Sequence, residues 1–179
     1  MSHLESLIAE YLEWRGFPVR RNTKVGRRAK GGWEMELDIV GFHPQTKELV
    51  HFEPSVDGLS WAERKTRYEK KFEAGQKYIL KDIFPWLPST TSVRQVAVFW
   101  NHPKGRDTIA GGTIVSIDEL MAEIRANVVK CGPMERNAIS ENFPLLRTIQ
   151  MSHVGYNKVV QTNNPADSPG RRSDRASRR

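Results

Sequence analysis

The sequence predicts an α/β domain. Apolar residues recur at helical spacing near the start, the middle and the end of the chain. Between those stretches lie short alternating or continuously apolar runs, bounded by turn residues. A chain of 179 residues fits a single domain large enough to bury a core, and the pattern places that domain at residues 1–160.

Each element follows from its residues. Leu4, Leu7, Ile8, Tyr11 and Leu12 form one helical stripe over residues 3–15, Ser2 with Glu5 resembles a capping box, and Gly16 stops the helix. Residues 18–25 read as a strand, and 27–32 as a basic turn. From Trp33 to Val40, Met35, Leu37 and Ile39 alternate with Glu34, Glu36 and Asp38, which is a strand pattern. The turn His43-Pro44-Gln45-Thr46-Lys47 leads into a returning strand that ends on Glu53 and Pro54. A long helix spans 59–80, and the apolar run 93–100 reads as a central strand. After a polar loop over 102–112 come a short strand at 113–117 and a helix opening at Ser116 or Asp118. A last helix follows within 137–150, with Pro144 in its first turn. The order is α-β-β-β-α-β-β-α-α.

Composition narrows the function classes. No apolar run reaches 18 residues, so no membrane span is expected. The N-terminal stretch lacks a signal-peptide pattern, and the single cysteine, Cys131, fits a reducing, cytoplasmic setting. The net charge of +7 suits a polyanionic partner. It concentrates in residues 20–30, where Arg20, Arg21, Lys24, Arg27, Arg28 and Lys30 are six cations with no acid, and in an Arg-rich tail. Residues 161–179 read as disordered. No Gly-rich phosphate loop appears, which argues against nucleotide hydrolysis. His51, His102 and His153 form no ligand set.

The strand pair after residue 33 carries the chemistry. With the turn centred on Gln45 and Thr46, paired positions sum to 91, so Asp38 faces Glu53. Directly opposed side chains lie about 4.5–5.5 Å apart at Cβ, and like charges there destabilise a sheet. A divalent cation with a preference for carboxylate oxygens would relieve the repulsion. Spacing alone also describes an exposed hairpin whose acids face water.

On the helix 59–80, Trp61, Tyr68, Phe72, Gly75 and Ile79 form a stripe, Lys65 falls within it, and Arg64, Arg67, Lys70, Lys71 and Lys77 lie away from it. A lysine on a core-facing side is unusual unless it is paired. It either snorkels to water or points at the Asp38/Glu53 pair. On the first helix, Glu5 is the acid best placed to look inward, and it also serves the helix start.

These features, taken together over residues 3–125, resemble the restriction-endonuclease-like superfamily, the PD-(D/E)xK phosphodiesterases. The resemblance rests on the helix with Glu5, on E-L-D-I-V-G-F with Asp38, and on E-L-V-H-F-E-P-S with Glu53 fifteen residues later. It implies a mixed β-sheet flanked by helices and Mg²⁺- or Mn²⁺-dependent cleavage of DNA. It also implies Asp38 and Glu53 as metal ligands, Glu5 and a lysine beside them, the Arg20–Lys30 cations on the DNA backbone, and it allows a homodimer. The family lysine stands two residues after the second acid, where this chain has Ser55. Two readings follow. Either Lys65 replaces it from the next helix, or catalysis is lost and the fold only binds nucleic acid or a protein partner.

Overall fold

The protein is described by a computed structural model that covers residues 2–101 and 103–156. The tail 161–179 and His102 lie outside the described residues. The domain is α/β: a six-stranded mixed sheet flanked by helices, in the strand order β1-β2-β3-β4-β6-β5. The elements are α1 (His3–Trp14), β1 (Val19–Arg27), β2 (Trp33–Phe42), β3 (Leu49–Ser55), α2 (Trp61–Tyr78) with a π-helical turn (Ile79–Ile83), β4 (Val93–Phe99), β5 (Thr108–Ile109), β6 (Gly112–Ser116), α3 (Ile117–Val129), α4 (Met134–Asn137) and α5 (Pro144–Val154). Among the described residues, no helix is long and apolar enough to cross a membrane.

β1, β2 and β3 form an antiparallel meander, and α2 carries the chain across to β4, which runs parallel to β3. The two central strands are therefore β3 and β4. The expected register holds: Ile39 pairs with Phe52 and Phe42 with Leu49, sums of 91. Pro54 does not end β3. Pairing with β2 stops at Phe52, but Pro54 and Ser55 still pair with Val98 and Phe99 of β4. The loop expected over 102–112 also contains the short strand β5.

The sheet divides the core. On one face α1, α3 and α5 pack on Ile39, Val50, Phe52, Val96 and Val98. On the other, α2 and its π-helical turn pack on Val40, Leu49, Ala97 and Phe99. Helix starts follow local chemistry. Ser60 and Ser116 each form a reciprocal capping box, with Glu63 and Glu119. α5 begins at Pro144 without a side-chain cap of its own, and its Leu146 N–H is taken by buried Glu10 at 2.8 Å. Glu10 thus points inward to satisfy an orphan donor of another helix.

One irregularity positions the site. Leu37 and Val40 both pack on the α2 face while Ile39 packs on the opposite one. Strict alternation is therefore broken between Leu37 and Asp38, and both point toward α2. Opposite Asp38, Asn22 adopts φ 47°, in the left-handed region that asparagine tolerates. The ladder skips the Asn22–Asp38 position on one side and ends before Asp38 on the other.

Candidate active site

Asp38 at the break in β2 and Glu53 near the end of β3 converge beneath α2. The side chain that meets them is Lys71. Its Nζ donates to Asp38 Oδ1 at 2.7 Å and to Glu53 Oε2. The cluster is well covered, with side-chain exposures of 13% for Lys71, 18% for Asp38 and 2% for Glu53. Two opposed carboxylates are tolerated here because one ammonium serves both.

Glu53 is held on every side. Its Oε1 accepts from the Asp38 backbone N–H at 3.1 Å, which replaces the missing ladder partner. The same oxygen lies 2.8 Å from His51 Nε2. Because a carboxylate only accepts, that nitrogen carries the proton, and His51 Nδ1 accepts from Gln95 Nε2 at 3.2 Å. Gln95 also donates to Phe72 O at 2.8 Å and accepts from Gln76 Nε2 at 3.0 Å. The relay Gln76–Gln95–His51–Glu53 fixes the tautomer and the carboxylate plane. Tyr68 closes the other side by donating to the Glu53 backbone carbonyl at 2.7 Å. Gly75 gives α2 room to approach: a Cβ there would lie 2.5 Å from His51 Nδ1 and 2.9 Å from Gln95 Nε2.

Burial sets the protonation states. Asp38 is pushed up to about 6 by burial and then by the neighbouring Glu53, against the pull of Lys71. His51 is pushed down to about 3 by burial and by the Lys71 charge, so its contact with Glu53 is a neutral-donor hydrogen bond, not an ion pair. For Lys71, burial lowers the pKa, but Glu53 and Asp38 outweigh it and hold the ammonium above its ordinary value. The Tyr68 hydroxyl is raised, first by burial and then by Glu53. A cleft of about 630 Å³ between Met35 of β2 and Ala62, Glu63, Thr66, Arg67 and Lys70 of α2 reaches Lys71.

Asp38 and Glu53 are thus brought together as the sequence suggested, but Lys65 is not with them. Its side chain is 59% exposed and sits 3.7 Å from Glu69 along the helix. The reason is the true centre of the buried arc. At about 100° per residue, Ala74 and Tyr78, both buried, shift that arc away from Lys65 and centre it on Lys71. Glu5 is also outside the site. It lies in the first turn of α1, where its N–H is capped by Ser2 Oγ at 3.2 Å, on the sheet face opposite α2. Ser55, at the expected lysine position, is buried and donates to Asp57, which is paired with Arg67 at 2.6 Å and Arg64 at 3.4 Å.

Arg20, Lys24, Arg27, Arg28 and Lys30 are exposed along edge strand β1 and the turn after it. Arg21 is not available in the same way, because Glu13 holds it at 2.6 Å. Sequence pattern does not mark His51, Gln95, Gly75 or Lys71 as site residues. The one signal for the histidine is its position two residues from Glu53, on the same face of β3.

No protein-family model matches the chain, and no curated protein matches it. A solved structure described as a protein of unknown function, AF1548, is similar at 13% identity, over 82% of this chain and 77% of that one, with a TM-score of 0.46.

Proposed function

We propose that this chain is a divalent-metal-dependent DNA endonuclease of the PD-(D/E)xK kind, in which α2 supplies the catalytic lysine as Lys71. The observation that carries the reading is the single ammonium shared by Asp38 and Glu53. The order helix, three-stranded meander, crossover helix and parallel strand, with the acids on the second and third strands, supports it.

The residues fit a hard divalent ion. The donor set is two carboxylates converging on one point, and the chain's own cation already stands between them. Among the described residues, no group of three or more His, Cys, Asp or Glu side chains is arranged to hold a metal. Two carboxylates suit Mg²⁺ or Mn²⁺ in particular, since Mg²⁺ keeps several waters and takes substrate phosphate oxygens besides one or two carboxylates. Asp38 and Glu53 would hold it. When bound, it supplies polarisation of the phosphate and a lowered water pKa.

The chain's own residues do the rest. The His51 relay and the Asp38 N–H keep the Glu53 carboxylate in one orientation. Lys71 turns its ammonium to a phosphate oxygen and stabilises the charge that builds there. Exposed Lys70 beside it and the cations of β1 hold the backbone at a salt-dependent cost.

The test is nicking of supercoiled plasmid in Mg²⁺ and Mn²⁺. Cleavage is expected in the wild type and in Lys65→Ala, and its loss in Asp38→Ala, Glu53→Ala and Lys71→Ala. Wild-type cleavage by Lys71→Ala would refute the assignment. Ser55 at the motif's usual lysine position favours a second reading, a fold that binds DNA without cutting it. That reading is selected if the wild type binds DNA yet cuts in neither metal.

A further inference from the structure

We infer that the chain's substrate is DNA with an unpaired strand, and that one unpaired base stacks on Trp33. The inference deepens the nuclease reading and rests on its choice of DNA as partner. A second recess shares the seam between β2 and α2 with the cleft over Lys71. The second, of about 660 Å³, is lined by Lys24, Arg27, Trp33, Lys77, Tyr78 and Lys81 among others, a volume within the range of ligand-sized recesses. Lys77 lies two helical turns beyond Lys70, about 10 Å along the axis. A strand crossing Lys71 therefore reaches the second recess within a few nucleotides.

The lining is basic with an aromatic interleaved. Lys24, Arg27, Lys77 and Lys81 are exposed, and of the two acids there Asp82 is occupied by the Gly26 N–H at 2.9 Å and Glu34 by Lys77 at 3.3 Å. Trp33 pairs with Arg27 across the hairpin and is 44% exposed. It leaves a tight turn closed by the Arg28 N–H on Gly32 O at 3.1 Å, with Gly31 and Gly32 at φ 92° and 80°. An indole kept in water within a ring of cations matches the arrangement that binds single strands, where cations track phosphates and aromatics stack on bases. A duplex offers no free base face along its length, so Trp33 selects for an unpaired nucleotide.

The experiment is binding of a labelled oligo(dT) and of a blunt duplex of equal length, followed by fluorescence anisotropy in EDTA so that no cleavage intervenes. The wild type is expected to prefer oligo(dT). Trp33→Ala should weaken oligo(dT) binding by roughly 5- to 150-fold, the range for one stacked base, and leave the duplex unchanged. Trp33→Phe, which keeps an aromatic face, should retain most of the affinity, and unchanged melting temperatures show that both variants fold. Lys24→Ala with Lys81→Ala should reduce the salt slope by about 1.4, at about 0.7 per phosphate contact on single strands. Equal or tighter binding of duplex by the wild type, or wild-type oligo(dT) affinity in Trp33→Ala, would overturn the inference. A protein that shows the preference yet never cuts sinks the nuclease reading alone, and one that cuts without the preference sinks only this inference.

Discussion

Replacing Lys71 by methionine keeps most of its apolar stem and removes the one cation between Asp38 and Glu53. Breaking a buried ion pair by deleting one partner commonly costs about 3–5 kcal/mol. Here the loss has an outlet, because Asp38 already sits at about 6 with Lys71 present and rises further without it. At pH 7.5 the Asp38 share of the loss is therefore bounded by the cost of protonating that carboxylate. Over 1.5 pH units at about 1.36 kcal/mol each, that bound is about 2 kcal/mol. Water that still reaches Asp38 reduces it to nearer 1 kcal/mol. The sign follows from linkage. Between pH 6 and the new, higher pKa, the native variant holds a proton that the native wild type does not. Its deficit in stability therefore grows as pH rises through that window and levels off below it. Urea unfolding at pH 5.5 and pH 7.5 measures both quantities. Lys65→Met, at an exposed pair, should stay within about 0.5 kcal/mol of wild type at both. A Lys71→Met deficit that is the same at the two pH values, or that Lys65→Met equals, would refute the geometry.

Other outcomes follow from the same contacts. His51→Ala removes the donor that orients Glu53 and should weaken Mn²⁺ binding by about 10- to 100-fold, measured by calorimetry, with His51→Asn recovering part of it. Gly75→Ala should destabilise by about 1–3 kcal/mol from overpacking against His51 and Gln95, although alanine is better than glycine in a helix by about 1 kcal/mol; thermal melts show which effect wins. Metal binding should release a proton from Asp38, so Mn²⁺ affinity should fall steadily with acidification below about pH 6, the value to which Asp38 is raised.

Much of the fold was legible because its signals are local. The turn at Gln45 and Thr46 fixed the register that sets Asp38 against Glu53, and Ser116 and Gly16 marked helix ends correctly. What was not legible depends on contacts distant in sequence. Glu10 turns inward only because Leu146, on α5, presents an uncapped N–H. A stripe drawn without Ala74 and Tyr78 is centred too far toward Lys65 and leaves Lys71 outside it, whereas the buried arc of α2 runs past Lys71. The regular run Met35, Leu37, Ile39 hid the broken alternation that turns Asp38 toward α2. The relay behind Glu53 joins β3, β4 and α2, and no one segment of sequence spells it out.

The most direct measurement is anomalous diffraction from a crystal soaked in Mn²⁺. One peak should lie within bonding distance of both Asp38 and Glu53, at about 2.0–2.2 Å for a hard divalent ion on oxygen, with the Lys71 amine displaced from between them. A crystal saturated with Mn²⁺ that shows no peak there, with the amine still bridging the two carboxylates, would contradict the account.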